Sequence, residues 1–206
     1  MDLKNRWIVL CAEYTNNSDL INHLWLELVA AYSGKKRHYH NLKHIEMMYS
    51  EFDRSNDLIS DRDSFQFAII YHDIIYNVTK NDNEEKSGQL ACERLIDMGY
   101  PKNKIQVVQK MIQATKSHNI ADNADTNLLV DIDMAVLGYD WEIYKLYAQN
   151  VRKEYSIYPD FMYKKGRREV LRYFLNMDKI YKTEKYQDLY ETKARTNIQQ
   201  EMNELL

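Results

Sequence analysis

Five glycines and two prolines in 206 residues leave this chain few places to turn sharply. Tight turns use the left-handed backbone that glycine tolerates and the fixed φ of proline, so a sandwich or barrel of many short strands lacks the corners it would need here. Apolar residues still make up 45% of the chain, which is enough to bury a core. The length suits one domain, and the expectation is an all-α, single-domain helical bundle of about ten helices over residues 1–206. Seventeen tyrosines fit that picture, because a ring at helical spacing buries its face while its hydroxyl reaches water.

The charges nearly balance, 28 Lys plus Arg against 31 Asp plus Glu, for a net charge of −3. No general attraction for nucleic acid or an anionic membrane follows from such a field, so any phosphate binding must be local. Cys11 and Cys92 stand alone in helical patterns, with no ligand spacing between them, and read as thiols in a reducing compartment. Residues 7–12 are too short for a signal-peptide core, and no apolar run approaches a membrane span. A cytoplasmic protein with no membrane partner is expected.

Apolar residues recur at helical spacing through residues 3–32, broken at Thr15-Asn16-Asn17-Ser18, which caps a second helix ending near Gly34. Asn41 is placed to cap a third helix, with His44 in its first turn. Another helix starts at Asp61 or Asp63 and puts Phe65, Ala68, Ile69, His72 and Tyr76 on one inward face. A further helix over residues 83–98 is closed by Gly99, and Pro101 opens the next. Beyond a loop rich in Asn and Asp lie the apolar stretch 128–137, containing Asp131 and Asp133, and three more helical patterns to the C-terminus. A core is expected within about 37–138, with C-terminal helices over 141–206 packing on it.

The segment Tyr71-His72-Asp73-Ile74-Ile75-Tyr76 sets an ionisable pair inside an apolar run. A carboxylate buried there without a partner costs several kcal/mol, and a metal ion answers that need directly. Histidines point the same way: His38, His40, His44 and His72 fall within a short stretch of the chain. Taken singly, His44 reads as a capping or surface residue, His72 as a hydrogen-bonded core histidine and Asp133 as a helix cap. Only the joint pattern points to metal.

The order His44, then His72-Asp73, then Asp133 resembles the signature of the HD superfamily of metal-dependent phosphohydrolases. The likeness is closer still to an uncharacterised bacterial branch, through Arg37-His38-Tyr39-His40-Asn41-Leu42-Lys43-His44, Asn81-Asp82-Asn83-Glu84 and Asp131-Ile132-Asp133-Met134. It covers most of the chain. The resemblance implies a helical bundle converging on one divalent ion (Mn, Fe, Co, Ni, Zn or Mg) held by His44, His72, Asp73 and Asp133. Asp133 is preferred over Asp131, which is read as a cap or an outer partner. Because His118 is the one histidine after the His-Asp pair, a mononuclear site is expected, with His118 as a phosphate contact.

The implied function is hydrolysis of a phosphate ester or anhydride, of a nucleotide or small phosphorylated metabolite, with the metal activating water. Asp73 would orient that water, and Glu84 or Glu85 would serve as general base. Two basic clusters could hold phosphate: Lys35, Lys36, Arg37 and Lys43, or Lys164, Lys165, Arg167, Arg168 and Arg172. Of these, Arg37 and Lys43 flank His44 and are the chosen contacts. A metal-dependent nucleotide sensor without catalysis is the competing reading, and an inert scaffold is a third. Ile198, Met202, Leu205 and Leu206 could pack on the chain's own core or support a homo-oligomer.

Overall fold

A computed structural model describes residues 1–205, and these form helices and loops with no strand among the described residues. None of these helices is long and apolar enough to cross a membrane. The chain gathers into two compact units, Met1–Leu129 and Val130–Leu206.

The first unit holds α1 (Leu3–Ala12), α2 (Ser18–Tyr32), α3 (Leu42–Arg54), α4 (Arg62–Tyr71), α5 (Asn83–Asp97) and α6 (Lys102–Ala114), together with the start of α7 (Ala124–Asp133). Local chemistry sets the helix starts. The Asp2, Asn17, Asn41 and Asp61 side chains accept from the backbone N–H groups of Asn5, Leu20, Lys43 and Ser64 respectively, satisfying donors that the first turn leaves open. Gly99 closes α5 at φ 78°, where its N–H donates to Ile96 O and the Tyr100 N–H to Leu95 O. That pair of bonds is a complete Schellman motif, and the left-handed φ is what a glycine at this position permits.

Helix α4 is the centre of this unit, with seven of its ten residues buried, among them Phe65, Phe67, Ala68, Ile69, Ile70 and Tyr71. From Phe67 to Tyr71 every side chain is buried, and a helical stretch apolar all round belongs in a core rather than at a surface. Trp7 meets both Phe67 and Tyr71 edge-on, with ring centroids 6.3 and 6.2 Å away, while its indole N–H donates to Ile21 O at 2.9 Å. The inward face expected from the spacing ends early, because α4 stops at Tyr71 and Tyr76 lies beyond it in irregular chain. Early termination matters for the site: His72 caps the helix and Asp73 lies in the turn that follows.

The second unit contains the end of α7, a tight 3-10 segment Met134–Gly138, α8 (Trp141–Glu154), α9 (Asp160–Asn176), the short α10 (Glu184–Tyr186), a π-helical segment Gln187–Glu191 and α11 (Thr192–Glu204). All five residues of the 3-10 segment are buried. The Asn197 side chain donates to Leu137 O and Tyr139 O, both at 2.9 Å. Ile198 is fully buried, Met202 and Leu205 are partly covered, and Leu206 lies outside the described residues.

Gly138 is required by packing, since a Cβ built there would overlap Tyr190 Cβ and sit 2.9 Å from its ring. Neither atom is the loose end of a flexible side chain. Gly138→Ala is therefore expected to destabilise the protein by about 1–3 kcal/mol through overpacking, measured as a lower urea midpoint at unchanged slope. A midpoint equal to that of the parent would show that the Tyr190 contact yields at no cost.

Candidate metal site

Two buried histidines meet in the first unit. His44 is the third residue of α3, placed in its first turn by the Asn41 cap, and is 2% exposed. His72, at the C-terminal end of α4, is 1% exposed. Their Nε2 atoms lie 3.2 Å apart. Nδ1 of His72 lies 2.8 Å from Ile69 O, and because a carbonyl can only accept, that nitrogen carries the proton. Nε2 of His72 then presents its lone pair toward Nε2 of His44. Two ring nitrogens so close require a shared proton or a cation between them.

The geometry fits a cation. Two ligand atoms about 2.1 Å from one first-row ion are about 3.0 Å apart in an octahedron and about 3.4 Å apart in a tetrahedron, and the observed separation falls between these values. His44, His72 and Asp133 each offer one ligand atom, these atoms lie within 4.8 Å of one another, and the three residues could hold a metal ion. Asp133 is the last residue of α7, a single unbroken helix that starts at Ala124. The His72 Nδ1–H bond to Ile69 O also supplies the outer partner that a ligating histidine needs to fix its tautomer.

Asp73, the fourth expected ligand, is outside that group. Its Oδ2 lies 3.2 Å from Nε2 of His72 and 3.8 Å from Nε2 of His40, at the border of the site. Next to it stands Glu84, half-buried in the first turn of α5. Burial pushes the Glu84 carboxyl above the usual range, its own backbone N–H pulls it back, and the negative charge of Asp73 pushes it up again. Glu85 is occupied differently, accepting from Lys116 Nζ at 2.7 Å.

Asp131 is fully buried and bound elsewhere. Its carboxylate accepts from Lys182 N and Thr183 N, both at 2.7 Å, and from Thr183 Oγ1 at 2.6 Å, strapping the loop before α10. Burial outweighs these donors and pushes the Asp131 carboxyl up to about 6.

The basic residues divide in the same way. Lys43 is exposed beside His44. Arg37, expected as a phosphate contact, instead donates to three main-chain carbonyls. Arg167, in the second basic cluster, is buried against Glu201. His118 sits just past α6 with a left-handed φ of 52°, and it is not one of the three grouped ligands. His40 is not among the residues expected at the site, yet its ring packs 4.3 Å from that of Tyr76 and its Nε2 faces Asp73. The signal for it in the sequence is its place in the run of histidines before His44.

Compared with protein-family models, curated proteins and solved structures, the chain matches none of them. The functional reading therefore stands on the chemistry of these side chains and on the order of the motifs that carry them.

Proposed function

We propose that this protein is a metal-dependent phosphohydrolase of the HD type, acting on a phosphate ester or anhydride in a nucleotide or small phosphorylated metabolite. The observation that carries the proposal is the buried pair of ring nitrogens, His44 Nε2 and His72 Nε2, 3.2 Å apart, to which Asp133 would add a carboxylate. A divalent cation held by these residues would supply Lewis acidity toward a phosphoryl oxygen and lower the pKa of water. Imidazole and carboxylate donors together suit Mn, Fe, Co, Ni or Zn better than a site of oxygen ligands alone would.

In this reading the remaining groups take roles that their positions support. Ile69 O holds the proton on Nδ1 of His72 and so keeps Nε2 available as a ligand. Asp73, whose Oδ2 lies 3.2 Å from His72 Nε2, orients the attacking water. Glu84, whose carboxyl is raised by burial and by Asp73, accepts that water's proton, because a carboxylate of raised pKa is a stronger base. Lys43, exposed at the start of α3, is the cation offered to a substrate phosphate.

The test is elemental analysis of the purified protein beside a panel of nucleotides and sugar phosphates assayed with added Mn²⁺, Co²⁺ or Ni²⁺. The expected result is one ion per chain and metal-dependent release of phosphate or pyrophosphate that chelator abolishes. Ligand-induced thermal stabilisation without any release would replace catalysis by sensing. Absence of stoichiometric metal, with stability indifferent to chelator, would reject the proposal.

A further inference from the structure

Arg37 has a task other than meeting substrate. Its Nη1 donates to His40 O at 3.0 Å and to Asp73 O at 2.7 Å, and its Nη2 donates to Ile74 O at 2.8 Å. Its Cζ also lies 5.1 Å from the ring centroids of both Tyr32 and Tyr76. The Tyr32 hydroxyl donates to Ile70 O at 2.8 Å, which ties that ring to the last turn of α4. On Tyr76 rests the His40 ring. Aromatic faces and carbonyl oxygens thus occupy the guanidinium.

The carbonyls come from the two segments that bring in the histidines. His40 lies in the loop leading into α3, four residues before His44, and Asp73 directly follows His72. Helix α4 ends without a glycine to fold its last carbonyls back, so the oxygens beyond its end need donors from elsewhere. Arg37 is such a donor. A planar fork also fixes the directions of its N–H groups, and so holds two segments in angle as well as distance. An ammonium group is a point charge with no such preset directions.

We infer that Arg37 is a positioning residue for the metal group, holding the loop before His44 and the His72-Asp73 turn at the spacing that brings the two Nε2 atoms together. The inference rests on the metal-binding reading proposed above. Phosphate is not its partner, although its charge and position in the sequence suggested that role.

The experiment is Co²⁺ titration of the full chain as parent, Arg37→Lys and Arg37→Met, following both the affinity and the visible ligand-field absorption, with circular dichroism to confirm folding. Arg37→Lys is expected to fold and to bind Co²⁺ about 10–100-fold more weakly, the range for loss of a partner that orients ligands, with an altered visible spectrum. Arg37→Met should be weaker still, and if it fails to fold the Arg37→Lys comparison decides alone. A merely structural role would lower the thermal midpoint of Arg37→Lys yet leave its Co²⁺ affinity and spectrum at parental values, and that result overturns the inference. So does unchanged Co²⁺ binding combined with weakened binding of inorganic phosphate to the Co²⁺-loaded protein, which would make Arg37 a substrate contact. A parent chain that takes up no Co²⁺ rejects the metal reading and this inference together, and it is told apart from the other outcomes by the parent titration alone.

Discussion

Replacing His72 by alanine is expected to reduce metal binding by on the order of 100-fold or more, since loss of an outer partner alone costs about 10–100-fold. His72 supplies one of the two nitrogens that meet at 3.2 Å, and with it goes any metal-dependent turnover. The substitution also deprives Ile69 O of its donor and empties a buried position, so the metal-free protein should lose about 1–3 kcal/mol as well. Affinity must therefore be measured on protein shown to be folded, by competition with a chelator of known strength. A companion pair locates the carboxylate ligand. Asp133→Asn should weaken metal binding sharply, whereas Asp131→Asn should spare it while loosening the loop that Lys182 N and Thr183 N attach to Asp131. Parental metal content in His72→Ala, or a metal loss that follows Asp131 instead of Asp133, would show that the ligand set is assigned wrongly.

The second large effect concerns stability in the unit Val130–Leu206. Arg167 on α9 and Glu201 on α11 form a bidentate pair, Nε to Oε1 at 2.8 Å and Nη2 to Oε2 at 2.9 Å, with side chains only 7% and 8% exposed. Tyr144 donates its hydroxyl to the same carboxylate. Removing one partner strands the other charge in a low-dielectric interior. Glu201→Ala is accordingly expected to cost about 3–5 kcal/mol, read as a lower urea midpoint. Replacing both residues by apolar groups of similar volume, as in Arg167→Met with Glu201→Leu, should recover most of that loss, because neither charge then remains to be desolvated. The Tyr144 hydroxyl would lose its acceptor in either background and limit the recovery. A double variant no more stable than Glu201→Ala would mean that the ion pair stabilises the fold outright.

Local structure was legible in the sequence wherever its cause is local. Asn17, Asn41 and Asp61 cap helices because a short side-chain oxygen reaches its own first turn, and Gly99 ends α5 because it can adopt a φ of 78°. The scarcity of Gly and Pro excluded a strand-rich fold for the same reason: backbone choices made residue by residue leave marks in composition. An ionisable pair inside an apolar run marked His72 as buried, and its neighbours on α4 are buried with it. Periodicity failed where α4 stops at Tyr71, since what holds the turn beyond it is the guanidinium of Arg37, 36 residues away from Asp73 in the chain.

Charge type likewise did not reveal its employment. Arg37 and Arg167 read as cations available to phosphate, yet one binds main-chain carbonyls and the other a buried carboxylate. Nor did spacing show that Asp131 spends its carboxylate on the backbone of residues 182–183. The amino-acid sequence by itself determined the helices, their caps and the presence of buried titratable groups, all properties set within a few residues. Only the tertiary structure decided which of those groups meet, because the encounter of His44 with His72 is fixed by how α3 begins and α4 ends and by their packing, not by spacing along either helix.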